Sequence, residues 1–302
     1  MKKVLLLGGN GFVGRHLQRR LLNLGFEINV LDQAGQPILH KNIQFFPGKA
    51  ADSYLVNEAL KDVDWVIHLQ SSILPANGIN DDKGLVQGHL DSLSMLLDSM
   101  ARAHVHRFIY FSSGGAVYGN PACIPTPESE PCNPINIYGI SKQQSEGLIL
   151  DRINQGLHAL IVRPSNAYGM HQGHIHKNGL INTLFHAAKY GEAIQVFGDG
   201  SEQRDYIYIE DILNFVSMGL ENEAQGIFNV GTEVGHSVEQ IINLAQQITG
   251  KDIQVHYFPS RPENVKNIVL DCRKAHKTLG WSASVSVERG MELLWRSWIE
   301  LA

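Results

Sequence analysis

The chain has 302 residues, long enough for one large α/β domain or for one domain with a smaller lobe. Its 25 lysines and arginines against 30 aspartates and glutamates give a formal net charge of −5, with both signs mixed along the chain. This balance argues against a nucleic-acid partner and against an anionic membrane surface.

The N-terminus and the cysteines predict a cytoplasmic protein. Two lysines precede an apolar run, Val4–Leu7, which is too short for a signal peptide or a membrane span before glycines begin. The three cysteines, Cys123, Cys132 and Cys272, contain no CxxC pair and cannot all form disulfides with one another. Such thiols are typical of a reducing compartment.

Short apolar runs alternate with helical patterns through the first 168 residues. In chain order the predicted elements are strand 3–7, helix 11–24, strand 27–32, helix 51–60, strand 65–69, helix 88–103, strand 108–111, helix 138–154 and strand 158–164. This alternation is typical of βαβ units. It predicts an α/β fold with a Rossmann-like, doubly wound parallel sheet over residues 1–168.

The pattern changes after residue 168. Loops rich in glycine, histidine and asparagine separate a predicted helix at 181–190, a turn at 197–205 and a helix around 211–220. We expect a smaller α/β substrate-binding lobe built from 169–204 and 223–302, with a return to the first domain at 205–222.

The first predicted strand leads into a glycine pattern, "GGNGFVG", and then into a helix. Glycines at these spacings permit a tight turn and let the backbone approach a pyrophosphate at the helix N-terminus. An acid also ends the second strand, as a dinucleotide site requires. The residues predicted to bind the coenzyme are Gly8, Gly11, Phe12, Val13, Gly14 and Asp32. The alternative is an ordinary strand–helix turn followed by a loop acid.

Asp32 favours NAD over NADP as the coenzyme. A carboxylate at this position accepts hydrogen bonds from the adenosine ribose hydroxyls and repels a 2′-phosphate. Gln33, which follows it, carries no positive charge for such a phosphate.

Tyr138 and Lys142, in "YGISK", lie four residues apart on a predicted helix and therefore share a face. An ammonium near a phenol stabilises the phenolate, so we expect a lowered pKa for Tyr138 and a role in proton transfer. Taken alone, the pair is also compatible with a surface tyrosine and a solvated lysine.

Several motifs occur in one order over nearly the whole chain: the glycine pattern, Asp32, "SSGGAVYG", "YGISK", "RPSNAYG", "RDYIYIED" and "LGW". In this combination the sequence resembles the extended short-chain dehydrogenase/reductase family. The resemblance is to its NAD-dependent nucleotide-sugar epimerases and dehydratases, and among these to proteins similar to UDP-galactose 4-epimerase.

The resemblance implies roles for individual residues. Tyr138 matches the catalytic base, and Lys142 matches the lysine that holds the nicotinamide ribose and tunes that tyrosine. The residues that match positions contacting the nucleotide-sugar are Asn166, Phe197, Arg204 and Arg261, the two arginines at its diphosphate. For Phe197, which by resemblance lies near the uracil, a core phenylalanine is the alternative. By the same resemblance, Ile268 matches a position that limits the size of the sugar; an ordinary strand isoleucine is the alternative.

One position departs from the family pattern. The serine or threonine that works with the tyrosine is replaced by Gly114, and the nearest hydroxyl is that of Ser113. Neighbouring strand residues point to opposite faces, so Ser113 can substitute only where the backbone turns, which Gly114 and Gly115 make easy. Alternatively, Ser112 and Ser113 only cap the strand.

The resemblance also orders the candidate reactions. Relatives that eliminate water or carbon dioxide carry acidic side chains after the hydroxyl residue, where this chain has Gly114, Gly115 and Ala116. The sequence therefore favours NAD-dependent 4-epimerisation of a UDP-hexose through a transient 4-keto sugar. A nucleotide-4-keto-sugar reductase, a dehydratase and a non-catalytic NAD-binding sensor are the alternatives.

Two further departures concern the coenzyme site: Lys49 replaces an acid that contacts adenine in relatives, with Asp52 as a candidate replacement, and His89 replaces an asparagine.

No metal site is predicted, since the sequence offers no further ligand beside the histidines of "HQGHIH", His171, His174 and His176. The resemblance also implies a homodimer paired through the helices near 88–103 and 138–154.

Overall fold

The computed structural model describes residues 2–71, 73, 83–170, 179–262 and 264–300. The chain divides into two compact units. Unit 1 is built from residues 1–113, 136–163 and 213–228, and unit 2 from residues 114–135, 164–212 and 229–302. The histidines at 171, 174 and 176 lie outside the described residues.

Seven strands form the main sheet: β1 Lys3–Leu7, β2 Glu27–Asp32, β3 Ile43–Pro47, β4 Trp65–His68, β5 Arg107–Phe111, β6 His158–Pro164 and β10 Gly226–Val230. Their order across the sheet is β10-β6-β5-β4-β1-β2-β3. The pairs from β3 through β6 are parallel, and Leu7 at the end of β1 is level with Leu31 and His68. Because the strand order reverses at β1, the carboxyl ends of β1 and β4 form the crevice where such sheets bind ligands.

The helices packed in unit 1 follow the strands, as the alternating pattern predicts. They are α1 Phe12–Asn23, α2 Ser53–Ala59, α3 Lys83–Arg102, α5 Ile137–Ile153 and, across the boundary between units, α7 Ile209–Glu221. The strands are apolar on both faces, and β1 has four consecutive buried residues, Val4–Leu7. Nearly continuous buried apolar runs are typical of parallel strands that helices cover on both faces, which confirms the predicted doubly wound architecture.

Unit 2 carries the shorter elements. Its strands are β7 Asn166–Tyr168, β8 Ile194–Phe197, β9 Gln203–Tyr208, β11 Gly235–Ser237, β12 Val255–Phe258 and β13 Asn267–Ile268. Its helices are α4 Gly114–Val117, α6 Leu180–Tyr190, α8 Val238–Thr249, α9 Arg273–Leu279 and α10 Val287–Glu300. A separate core made mainly by α6, α8 and α10 includes the fully buried Phe185, Met291 and Leu294.

The observed units and the predicted domains differ in the residues at which the chain passes from one unit to the other. The segment that returns to unit 1 is 213–228, against the predicted 205–222, and the segment 114–135 joins unit 2. The later crossing lies within α7, and the earlier one lies just after β5, at Gly114. Within the described ranges, no helix has the length and apolar character needed to span a membrane.

Candidate active site

The glycine loop between β1 and α1 has the form of a coenzyme cradle. Gly8 has a positive φ of 75°, and a Cβ there would lie 2.9 Å from the Gln70 backbone nitrogen. A Cβ on Gly14 would overlap the backbone of Gly9, so the helix can begin this close to the loop only with glycine. The N-cap residue Gly11 supplies no side-chain cap, which leaves the first-turn amides of α1 to an anion.

Asp32 lies beside this loop, at the end of β2. Its Oδ2 atom accepts a hydrogen bond of 2.9 Å from the Asn10 amide, and its Oδ1 atom accepts a longer one, 3.3 Å, from the Ala34 amide. The carboxylate is partly exposed. Its position next to the glycine loop is the one that the dinucleotide fingerprint requires, so the residues present fit NAD.

A cavity of about 260 Å³ in unit 1 lies next to the coenzyme loop, with Gln33, Lys49, Gln70 and His89 in its wall. Lys49 thus faces the cavity, whereas Asp52 caps α2 by accepting a hydrogen bond of 3.1 Å from the Leu55 amide. The Asp52 carboxylate therefore has a structural task.

Three predicted catalytic residues meet at the carboxyl end of β5. The Ser113 hydroxyl lies at the phenol of Tyr138 on α5, where it partly opposes the effect of burial on the Tyr138 pKa. The Nζ atom of Lys142, one helical turn later, donates a hydrogen bond of 2.8 Å to the Phe111 carbonyl and lies 5.8 Å from the centre of the Tyr138 ring. Asn136 caps the start of α5 by accepting from the Gly139 amide at 2.8 Å. The backbone turn at Gly114 therefore brings Ser113, the nearest hydroxyl to the missing one, to the tyrosine.

The expected lowering of the Tyr138 pKa is wrong for the protein alone. Burial raises the pKa of Tyr138, and the Ser113 hydrogen bond only partly opposes it. Burial also lowers the pKa of Lys142 to about 8, against a smaller opposing effect of Glu146. The spacing of Tyr138 and Lys142 shows that they share a face, but it does not show how strongly the surrounding core disfavours both charges.

A buried ion pair that the sequence reasoning missed lies directly behind these residues. Arg163 on β6 donates from Nε to Glu146 Oε1 at 3.0 Å and from Nη2 to Oε2 at 2.5 Å. Ser112 donates to the same Oε1 atom. Two signals were available: Glu146 is four residues after Lys142 on the same helix face, and Arg163 interrupts the apolar strand "HALIVRP".

Two buried histidines approach the lysine from the sheet and from α3. His68 ends β4 and His89 lies on α3, with ring centroids 6.2 Å apart. Burial lowers the pKa of His89 to about 4, and the positive charge of Lys142 contributes. Burial also holds the pKa of His68 well below its usual value. Both imidazoles are therefore neutral at neutral pH.

The predicted nucleotide-sugar contacts lie in unit 2, where Phe197 and Arg261 meet. The Arg261 guanidinium carbon is 3.5 Å from the centre of the Phe197 ring, and Phe258 packs against the same ring at 5.6 Å. Arg261 and Phe258 line a pocket of about 710 Å³ together with Asn120 and Lys266. This volume suits a nucleotide-sized ligand.

Arg204 and Asn166 lie on neighbouring strands of the same unit. The Arg204 guanidinium donates to the carbonyls of Val265 and of Lys266, the latter at 2.9 Å, and so holds the segment after Arg261. Asn166 on β7 is partly exposed. Ile268 in β13 pairs with Arg204 in β9. It is only 2% exposed, as an ordinary strand isoleucine would be.

Among the described residues, no group of three or more histidine, cysteine, aspartate or glutamate side chains is arranged to hold a metal ion. None of the three cysteines, all of which are described, takes part in a disulfide bond.

The chain is similar to known proteins over nearly its full length. Residues 4–231 match the model of the NAD dependent epimerase/dehydratase family. A putative UDP-glucose 4-epimerase of Methanocaldococcus jannaschii is 29% identical over 298 residues, 96% of each chain. The structure of the Thermotoga maritima UDP-glucose 4-epimerase with UDP-glucose aligns with a TM-score of 0.90 at 30% identity, covering 99% of both chains. The Thermus thermophilus UDP-glucose 4-epimerase complex with NAD gives 0.89 at 26% identity, covering 97% of this chain and 98% of that one.

Proposed function

The chain belongs to the NAD dependent epimerase/dehydratase family, and we propose that it is an NAD-dependent 4-epimerase of a UDP-hexose. The substrates are UDP-glucose and UDP-galactose, or their N-acetylated equivalents. The observation that carries the proposal is the position of Lys142 one helical turn after Tyr138, with its Nζ atom 5.8 Å from the centre of the Tyr138 ring and bound to the Phe111 carbonyl at the end of β5. The similarity to UDP-glucose 4-epimerases over nearly the full length supports the choice of reaction.

The glycine cradle and Asp32 would hold the coenzyme, with the pyrophosphate at the first turn of α1. Bound there, NAD would supply the hydride acceptor and donor for the sugar C4 atom and, in its oxidised form, a positive charge. Burial raises the pKa of Tyr138. The positive charge of the oxidised ring would therefore add to that of the Lys142 ammonium in stabilising the Tyr138 phenolate.

Tyr138 acts as the general base and then as the general acid. Its phenolate takes the proton of the C4 hydroxyl while hydride leaves C4, which gives a 4-keto sugar and a neutral phenol. After the keto sugar rotates, hydride returns to the opposite face of C4, and the phenol gives its proton back to the oxygen. The Lys142 ammonium and the Ser113 hydroxyl stabilise the phenolate that exists before the first proton transfer and after the last.

The residues around Tyr138 favour epimerisation over elimination. Gly114, Gly115 and Ala116 supply no acid or base at the positions where relatives that eliminate carry one. With proton transfer limited to the C4 oxygen, return of the hydride is the remaining outcome. NAD is regenerated in each cycle, so no coenzyme is consumed.

For the nucleotide we propose Phe197 and Arg261 as direct contacts, because both border or support the pocket in unit 2. A guanidinium suits a diphosphate, which Arg261 can reach from this pocket. Arg204 contributes through the segment whose carbonyls it binds. Asn166 is proposed as a further contact with the nucleotide-sugar.

Interconversion of one sugar pair tests the proposal. We expect the purified protein, with no added coenzyme, to convert UDP-glucose or UDP-N-acetylglucosamine into its galacto partner, followed by NMR. The equilibrium must be reached from both sides. A 4,6-dehydrated product would show that the protein is a dehydratase, and failure of every pair to react would leave the non-catalytic NAD sensor as the better account.

We also propose that the protein is a cytoplasmic homodimer. Exposed apolar side chains on α3 and α5 support the pairing: Leu85, Ile140 and Leu150 are 42%, 36% and 40% exposed. The absence of disulfides among its cysteines supports a reducing compartment. A monomeric mass by analytical ultracentrifugation at micromolar concentration would contradict the dimer.

A further inference from the structure

Three consecutive residues at the end of β5 each interact with a side chain of α5, and those side chains are spaced four residues apart. The Phe111 carbonyl accepts from Lys142, the Ser112 hydroxyl donates to Glu146, and the Ser113 hydroxyl acts on Tyr138 by lowering its pKa against the effect of burial. Side chains four apart lie along one face of a helix. The end of the strand is therefore attached along two turns of α5.

Glu146 is the member of this row that also has a strong anchor elsewhere. Arg163 binds both of its carboxylate oxygens, and the side chains of Glu146 and Arg163 are each only 4% exposed. Burying two charges costs several kcal/mol in desolvation, and an apolar pair of similar volume would avoid that cost. What an apolar pair cannot supply is an acceptor for Ser112 at a fixed position.

We propose that Glu146 is a positioning residue that holds Ser112, and with it the end of β5, in a fixed orientation against α5. Its consequence for the reaction is that the next residue, Ser113, keeps its hydroxyl at Tyr138. This inference rests on the proposed function. It explains how a chain with Gly114 in place of the usual hydroxyl residue keeps a working hydroxyl: Ser112, which the Glu146–Arg163 ion pair holds in place, directly precedes Ser113.

The Tyr138 pKa also depends on the charged and titratable groups around Tyr138 and Lys142. From α5 these are Lys142 and Glu146, and from β5 the buried Tyr110, whose ring centre is 4.9 Å from Lys142 Nζ. From β4 and α3 they are His68 and His89, both neutral because burial lowers their pKa. A change at Ser112 removes none of these charges. An effect of that change on Tyr138 must therefore act through position.

The test measures Tyr138 directly in the NAD-bound protein, with tyrosine isotopically labelled at Cζ and Tyr138→Phe to identify the NMR signal. Because the Ser113 hydrogen bond lowers the pKa of Tyr138, loss of its alignment raises that pKa. In Ser112→Ala we expect the Tyr138 titration to move upward by about half a unit. We also expect kcat for the sugar reaction to fall by about tenfold with KM unchanged.

Ser217→Ala is the matched control, since this serine is also buried and its hydroxyl donates only within its own helix, to Leu213. It should leave the titration and kcat unchanged. Ser112→Cys, with a similar volume and a poor donor, gives a second reading should the alanine variant fold badly. An unmoved Tyr138 titration in a folded Ser112 variant overturns the inference. The titration requires no sugar, so a shift without any UDP-hexose turnover would sink only the proposed function.

Discussion

Replacing Tyr138 by phenylalanine is expected to lower kcat by about a thousandfold, the loss typical of removing a general acid–base group. The phenol, on α5 beside the end of β5, is the group that can carry a proton between the sugar and the site, and the Ser113 hydroxyl beside it partly opposes the rise in its pKa. The ring itself remains, so KM and the amount of NAD retained on purification should stay near those of the unchanged protein. The rate is measured by NMR with the UDP-hexose that reacts.

Tyr54→Phe is the control for this variant. Tyr54 lies on α2 with 73% of its surface exposed, and removing its hydroxyl should not alter kcat. A Tyr138→Phe protein with nearly unchanged kcat would contradict the assignment of the base. The contact of Ser113 with Tyr138 would then have only a structural role.

Replacing Arg163 by methionine is expected to destabilise the protein by about 3–5 kcal/mol, because it leaves the buried Glu146 carboxylate without its cation. Ser112 remains as a partner, but one hydroxyl does not offset the cost of a desolvated charge. Urea unfolding followed by circular dichroism measures the loss. The change in midpoint and slope should be read together, since this chain has two units.

Arg152→Met provides a matched control on α5. Arg152 pairs with Asp98 at 2.8 Å, but these side chains are 27% and 45% exposed. A pair of this kind contributes about 0–1 kcal/mol, so its removal should have a small effect. Equal losses for the two variants would show that burial of the Arg163 pair does not carry the energy assigned to it.

The sequence predicts the parts of the site that depend on local pattern. The glycine loop, the acid at Asp32 and the shared face of Tyr138 and Lys142 follow from spacing and from the strand–helix alternation. The starts of helices are less accurate: α3 begins at Lys83, five residues before the predicted 88. A signal for the earlier start was present in the sequence, because Asp82, a residue type favoured as an N-cap, directly precedes Lys83.

What the sequence does not predict depends on burial and on contacts between distant elements. Glu146 and Arg163 are 17 residues apart on a helix and a strand, and each alone is of a type that usually lies in solvent. The direction of the Tyr138 pKa shift was likewise wrong, because a four-residue spacing does not reveal how deeply the phenol and the ammonium are desolvated. Both errors come from the same source, the dielectric environment of the core.

The most direct measurement follows one hydrogen atom through the reaction. The UDP-hexose that turns over is prepared with deuterium at C4 and incubated with the protein in ordinary water without added coenzyme. If the C4 hydride leaves and returns within one site, the galacto product keeps its deuterium at C4. Loss of the label to solvent would show that C4 is deprotonated instead, and would contradict the account of Tyr138 as a base acting on the hydroxyl alone.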